Sequence, residues 1–106
     1  MTNKRFNPTV GEILLDMLEE LGISQNEIAR SVSVHSNRIN AIVRGLRSIT
    51  ADTDLRLCKY FGLSQGYFLR LQMAYEMAEI RNNEPADIQK IKPINENNKM
   101  RAKMTM

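Results

Sequence analysis

A chain of 106 residues, with 42% hydrophobic and 25% charged residues, has the length and composition of one soluble globular domain. It lacks the uninterrupted apolar stretch of roughly 20 residues that a membrane-spanning helix needs, and its single cysteine excludes an internal disulfide. The net charge of +3 is modest, no secretory signal is recognisable, and we expect a cytoplasmic protein.

The first predicted helix covers residues 10–21 and begins at a capping box, Thr9 with Glu12. Its apolar side chains fall on one stripe: Val10, Leu14, Met17, Leu18 and Leu21. Four acids lie on the opposite side: Glu12, Asp16, Glu19 and Glu20. We expect either a solvated surface or a docking site for a basic partner.

Two short helices follow, predicted over 25–32 and 36–44. Ser24 with Glu27 is a second capping box, and the sequence "SVSV" at 31–34 separates the helices with Ser33 in a tight turn. Two helices joined by such a turn form a helix-turn-helix.

The second of these helices has one apolar and one polar face. Its apolar face consists of Ile39, Ile42 and Val43, extended by Leu46. The remaining positions of the helix carry Asn, Ser and Arg around a small Ala41, and no acid occurs between residues 28 and 51. Asn pairs with adenine and Arg with guanine in the major groove, so this pattern favours DNA binding over an ordinary solvated face.

Seven residues are therefore candidates for DNA contact: Gln25, Ser36, Asn37, Arg38, Asn40, Arg44 and Arg47. We expect the two asparagines to read bases, whereas Gln25 and Ser36 would contact the DNA backbone. Arg44 and Arg47 would bind phosphates or bases, or else complement the dipole at the helix end. For Arg38 the alternative is an ion pair with a nearby acid.

Two further helices are predicted over 51–61 and 65–82, capped by Thr50 and Ser64. The apolar residues of the fourth helix spread over a broad arc, which is typical of a mostly buried helix: Leu55, Leu57, Cys58 and Phe61.

The fifth helix has two apolar stripes, although joining a core requires one. The additional stripe consists of Leu69, Met73, Met77 and Ile80. An exposed row of large apolar side chains is unfavourable in a monomer. We expect a second subunit to cover it, making a homodimer, or else the tail isoleucines at 88, 91 and 94.

From about residue 83 the composition becomes polar, with Pro85 and Pro93 opposing a continuous helix. The predicted organisation is an N-terminal arm at 1–8, an all-α five-helix domain at 9–82, and a flexible tail at 83–106 that is partly ordered to about residue 94.

Four sequence fragments carry a family resemblance: "GEIL" at 11–14, "SQ" at 24–25, "NRINAIVRGLRSITADT" at 37–53 and "YFG" at 60–62. Together they resemble the HigA-type antitoxins, also called virulence-associated protein I, of the Cro/cI-like (XRE) helix-turn-helix superfamily. The resemblance implies a usually dimeric domain that represses its own operon and neutralises a small basic ribonuclease toxin of the HigB kind. If such a toxin exists, the acidic face of the first helix is a candidate docking site for it; the alternatives are a solvated surface or a face whose charge keeps that side of the protein off DNA. A stand-alone repressor without a toxin is the alternative.

The chain departs from the family in the turn, where Gly is common and two prolines follow. Here the residues are Ser33, His35 and Ser36. A serine in the left-handed region costs about 1 kcal/mol.

No catalytic arrangement is recognisable in the sequence, so we expect neither an enzyme nor a cofactor. His35 is the only histidine and has no partner at metal-binding spacing, so a turn or backbone contact is expected in place of a metal site.

Overall fold

The computed structural model describes residues 7–94. Within that range it contains six helices and no strand. Their bounds are α1 Val10–Leu21, α2 Gln25–Ser31, α3 Ser36–Val43, α4 Ala51–Phe61, α5 Tyr67–Asn82 and α6 Ala86–Gln89.

The predicted all-α architecture is confirmed, with small differences at the helix ends. α1 and α4 have the predicted bounds, α2 and α3 each end one residue early, and α5 begins two residues late. The short α6 was not predicted as a helix. The expectations for the first six residues and for the end of the tail, 95–106, lie outside the described residues.

The capping residues of the first two helices explain where those helices begin. At α1 both halves of the capping box form: the Thr9 hydroxyl accepts from the Glu12 N–H at 3.0 Å, and Glu12 accepts from the Thr9 N–H at 2.8 Å. At α2 the Ser24 hydroxyl accepts from the Glu27 N–H at 3.0 Å. The reciprocal bond expected from Glu27 is not formed, so the second predicted capping box is only half correct.

α5 begins differently from the prediction, because a residue of α4 caps it. The Asp54 carboxylate is buried and accepts from the backbone N–H groups of Gly66, Phe68 and Leu69 at 2.7, 2.9 and 3.1 Å. A carboxylate at a helix N-terminus satisfies free N–H groups and complements the helix dipole. Ser64, the predicted cap, instead accepts a bond from Arg70 at 3.3 Å.

The core lies between the first five helices. α3 packs against α1 and α2, and α5 packs against α1 and α4. The fully buried side chains are Leu14, Leu18, Ile28, Ile39, Ile42, Leu57, Cys58 and Phe68.

Three leucines predicted on core faces are exposed. Leu21 is the last residue of α1, and Gly22 ends that helix with a left-handed backbone conformation. Leu46 follows Gly45 in the turn after α3. Leu55 lies on the outer side of α4, which is therefore amphipathic and not mostly buried.

Gly11 allows α1 and α3 to approach closely. A Cβ added at this buried glycine would overlap the carbonyl oxygen of Ile42 and lie 3.0 Å from that of Val43. Both carbonyls belong to the last turn of α3, so Gly11 sets the distance between the two helices.

The additional stripe of α5 is largely uncovered within the chain. Met73 is 63% exposed, and Met77 and Ile80 are each 48% exposed. The tail does not cover them, because Ile91 and Ile94 are themselves mostly exposed and α6 has no buried residue. The fold-back alternative is therefore wrong for the described residues. None of the helices between residues 7 and 94 combines the length and the hydropathy that crossing a lipid bilayer requires.

Candidate nucleic-acid interface

The turn between α2 and α3 is tight and contains a left-handed serine. Ser33 has φ 62°, the one positive value among the described residues other than glycine. Its N–H donates to Arg30 O at 3.2 Å, and the Val34 N–H donates to Ala29 O at 2.9 Å. The left-handed serine expected in place of the family's glycine is thus present, and it carries the associated conformational cost.

His35 provides the N-cap of α3. Its Nδ1 accepts from the backbone N–H of Asn37 at 3.0 Å. This bond places the imidazole proton on Nε2, since a nitrogen that accepts carries no proton. The predicted backbone role of His35 is confirmed. Among residues 7–94 no cluster of metal-ligating side chains is present.

The apolar face of α3 is buried, which fixes the direction of its polar face. Ile39 and Ile42 are fully buried against the rest of the core. Asn37, Asn40 and Arg44 are consequently exposed on the outer side of the helix. Their amide and guanidinium groups are available to a ligand that approaches α3 from solvent.

Two small residues, Ala41 and Ser36, reduce the width of α3 on this side. Ala41 and Ser36 are half-buried between the longer polar side chains. A helix with small residues along its outer face fits the major groove, which is about 12 Å wide.

Gln25 and Asn40 join the first residue of α2 to the middle of α3. The Asn40 side-chain nitrogen donates to Gln25 Oε1 at 3.2 Å. Each amide keeps further donor or acceptor capacity after making this bond. The two side chains therefore hold each other in place on the exposed surface. No local sequence pattern indicates this contact, because the two residues are 15 apart in the chain.

Arg38 makes the ion pair that was the alternative for this residue. Its Nη1 lies 3.0 Å from Asp52 Oδ2, at the start of α4, and 3.2 Å from the hydroxyl of Thr53. Both contacts involve Nη1, so in the free protein the Arg38 guanidinium is held beside the start of α4.

Asp52 also binds Arg56, one turn further along α4. Arg56 Nε lies 2.9 Å from the same oxygen, Oδ2. The hydrogen bond from Arg56, and to a smaller extent the one from Arg38, holds the pKa of Asp52 below its ordinary value. Because the pKa is lowered on folding, the stabilisation by these ion pairs is present above the ordinary aspartate pKa and is lost as the pH falls through the lowered value.

Arg56 holds the turn itself. Its Nη1 donates to the carbonyl oxygens of Val32 at 2.9 Å and Ser33 at 3.3 Å. A cation near the end of a helix complements the dipole and satisfies free carbonyls. Arg56 was not among the predicted functional residues. The Asp52–Arg56 spacing of four residues signals an ion pair, but the sequence does not indicate that Arg56 would reach the turn.

The segment after α3 is held by a side chain of α5. The Gln72 amide accepts from the Ile49 N–H at 2.7 Å and donates to Ile49 O at 3.1 Å. This pair of bonds anchors the segment that carries Arg47, whose side chain is exposed near the end of α3. Arg44, at the C-cap of α3, is exposed as well.

The acidic face of α1 is only partly open. The Glu12 carboxylate is engaged with the Thr9 N–H in the capping box. Glu19 and Glu20 are exposed, as is Asp16, which has interactions of its own. If this face binds another protein, Glu19 and Glu20 can form ion pairs with it without disturbing the N-cap of α1.

Comparison with known proteins identifies the motif. A family model described as a helix-turn-helix domain matches residues 11–72. The chain is 46% identical over 68 residues to Virulence-associated protein I of Dichelobacter nodosus, an alignment that covers 63% of each protein. Among solved structures, a HigA-family addiction module antidote protein from Coxiella burnetii superposes with a TM-score of 0.75 at 38% identity, covering 82% of this chain and 97% of that one. This chain belongs to the HigA family of helix-turn-helix proteins.

A second HigA structure includes nucleic acid. It is the Pseudomonas aeruginosa antitoxin HigA with the higBA promoter, with a TM-score of 0.74 and 35% identity, covering 84% of this chain and 99% of that one. The expected membership of the HigA family and its all-α fold are thus confirmed. α6 is an addition to the five helices expected of the family.

Proposed function

We propose that this chain is a sequence-specific DNA-binding repressor and the antitoxin of a type II toxin–antitoxin module. The observation that carries the proposal is the exposed polar face of α3, fixed in direction by the buried Ile39 and Ile42. The similarity to the Pseudomonas aeruginosa HigA with its promoter supports double-stranded operator DNA as the ligand.

In the proposed complex α3 enters the major groove. Asn37 and Asn40 hydrogen-bond base edges, as asparagine does with adenine. Arg44 and Arg47 neutralise phosphates at one end of α3, and Gln25 and Ser36 contact the backbone near the helix starts. Phosphate contacts supply much of the affinity, and base contacts supply the sequence preference.

The proposed active form is a homodimer through the stripe Leu69, Met73, Met77 and Ile80. The three last members of this stripe are exposed in the single chain. Dimeric helix-turn-helix proteins bind half-sites about 34 Å apart, one turn of DNA, so the proposed homodimer would bind an operator with that spacing.

The proposed toxin is a small basic ribonuclease of the HigB kind, bound through the acidic face of α1. Opposite charge accelerates association and disfavours wrong partners. The support for this part is the family membership together with the exposed carboxylates of Glu19 and Glu20.

The DNA-binding part is tested by titrating the purified protein against the duplex upstream of its own gene and against a scrambled duplex of equal composition. We expect binding to the promoter at least about a thousandfold tighter than to the scrambled duplex at physiological salt, the lower end for specific DNA-binding proteins. Equal affinity for the two duplexes would contradict sequence-specific repression.

The antitoxin part is tested by co-expression with the adjacent open reading frame. We expect that frame to encode a protein that arrests growth alone, is neutralised by this chain and co-purifies with it. Specific promoter binding without a toxic neighbour would instead identify a stand-alone repressor.

A further inference from the structure

One carboxylate oxygen lies between two arginines beside the proposed DNA surface. Asp52 Oδ2 accepts from Arg38 Nη1 at 3.0 Å and from Arg56 Nε at 2.9 Å. Two guanidinium groups and one carboxylate carry a combined charge of +1. An aspartate at this position thus cancels one positive charge on the edge of a surface that is proposed to approach phosphates.

The two arginines are not held equally. Arg56 also donates to the carbonyls of Val32 and Ser33, so three acceptors fix it on the turn. Arg38 has the hydroxyl of Thr53 as its other acceptor, at 3.2 Å. If Asp52 lost its charge, repulsion from the fixed Arg56 and the loss of the ion pair would release the Arg38 side chain.

The ion pair is accessible to solvent. The Asp52 side chain is 58% exposed and that of Arg38 is 28% exposed. Arg38 is on the third residue of α3, on the flank of its polar face. A released Arg38 side chain is therefore long enough and close enough to meet a phosphate beside the groove.

We propose that Asp52 is a positioning residue that withholds Arg38 from phosphates and thereby limits sequence-independent DNA binding. Sequence-independent affinity is set by the number of phosphates that the protein neutralises. By keeping one arginine out of that number, Asp52 leaves a larger share of the binding free energy to the base contacts of Asn37 and Asn40. This inference depends on the proposed DNA-binding function.

The test is the salt dependence of binding to a scrambled duplex, measured for Asp52→Asn. One added phosphate contact steepens the slope of log affinity against log salt by about 0.9. The affinity of Asp52→Asn relative to the unaltered protein should therefore increase about eightfold when salt falls from 0.5 M to 0.05 M, a tenfold dilution. An unchanged slope would overturn the proposal.

Three variants separate positioning from other effects. Asp87→Asn in α6 makes the same charge change at an exposed residue far along the chain, and we expect an unchanged slope. Asp52→Glu retains the carboxylate, so its salt slope should equal that of the unaltered protein. In Arg38→Ala, adding Asp52→Asn should produce no steepening; equal steepening there would assign the effect to another group and reject the proposal.

Arg38→Ala alone gives an independent result should Asp52→Asn fail to fold. Because Arg38 is withheld in the unaltered protein, its removal should leave the scrambled-duplex slope unchanged, and a slope shallower by about 0.9 would contradict the proposal. Failure of the proposed function has a different signature, which is equal affinity of the unaltered protein for promoter and scrambled DNA.

Discussion

Arg44 occupies the C-cap of α3, where its backbone N–H donates to Asn40 O and its side chain is exposed. In the proposed complex the guanidinium binds a phosphate at the edge of the groove. Replacing it with alanine removes one charge-assisted hydrogen bond, worth about 1.5 kcal/mol, and should weaken promoter binding about tenfold. The salt slope should become shallower by about 0.9.

Arg81→Ala is the matched control for this prediction. Arg81 is exposed in the last turn of α5 and carries the same charge. Its replacement should leave the salt slope unchanged. Fluorescence anisotropy over a salt series measures both variants, and equal slopes for Arg44→Ala and the unaltered protein would remove Arg44 from the interface.

At the residue scale, local patterns in the sequence predicted the exposure of Asn37, Asn40 and Arg44, because helical periodicity places them opposite Ile39 and Ile42. Contacts between distant residues were not predictable in this way. The bond of Arg56 to the Val32 carbonyl joins residues 24 apart in the chain. No local pattern specifies such a partner, since it depends on how α4 packs beside the turn.

At the scale of elements, the direction of α3 depends on its contact with α1. Gly11→Ala would place a methyl group against the Ile42 and Val43 carbonyls of α3. Overpacking of this kind costs about 1–3 kcal/mol, so the melting temperature should fall by at least about 4 °C. Promoter affinity should fall as well, because α3 is displaced relative to α2.

Thermal denaturation and promoter titration of the same preparation check this prediction. Leu55→Ala is a suitable control, since this side chain is exposed on the outer side of α4. A Gly11→Ala protein that is as stable and binds as tightly as the unaltered one would show that α1 and α3 have room to separate.

Helix starts were predictable where the cap is adjacent in sequence and not where it is remote. Thr9 and Thr50 are adjacent caps, and α1 and α4 begin where predicted. α5 begins at Tyr67 because Asp54, twelve residues before Gly66, binds the N–H groups of its first turn. Ser64 resembled a cap locally, but the tertiary contact determines the helix start.

At the scale of the whole molecule, the uncovered stripe on α5 predicts self-association. Met77→Glu places a charge among the apolar side chains that the proposed two-fold interface would bury. The variant should sediment as a monomer at micromolar concentration. Its promoter affinity should drop, because a monomer contacts one half-site in place of two. The control Leu55→Glu alters an exposed apolar residue on α4 and should remain dimeric.

Sedimentation velocity of the unaltered protein is the reference for this prediction. A protein that is monomeric before any substitution would contradict the role given to the stripe. Helical periodicity in the sequence identified the stripe but not what covers it. A second subunit and the apolar residues of the tail were both compatible with the same pattern. The exposed tail isoleucines eliminate one of them for the described residues.

The claim on which the account depends is that the outer face of α3 enters the major groove of the operator. Dimethyl sulfate protection tests it directly, because the reagent methylates guanine N7, a major-groove atom, and adenine N3, which faces the minor groove. We predict protected guanine N7 atoms in two patches about 10 base pairs apart, one for each α3 of a dimer. Protection of adenine N3 atoms in the bound promoter, with the guanine N7 atoms of the same half-sites still reactive, would place the protein in the minor groove and contradict the account.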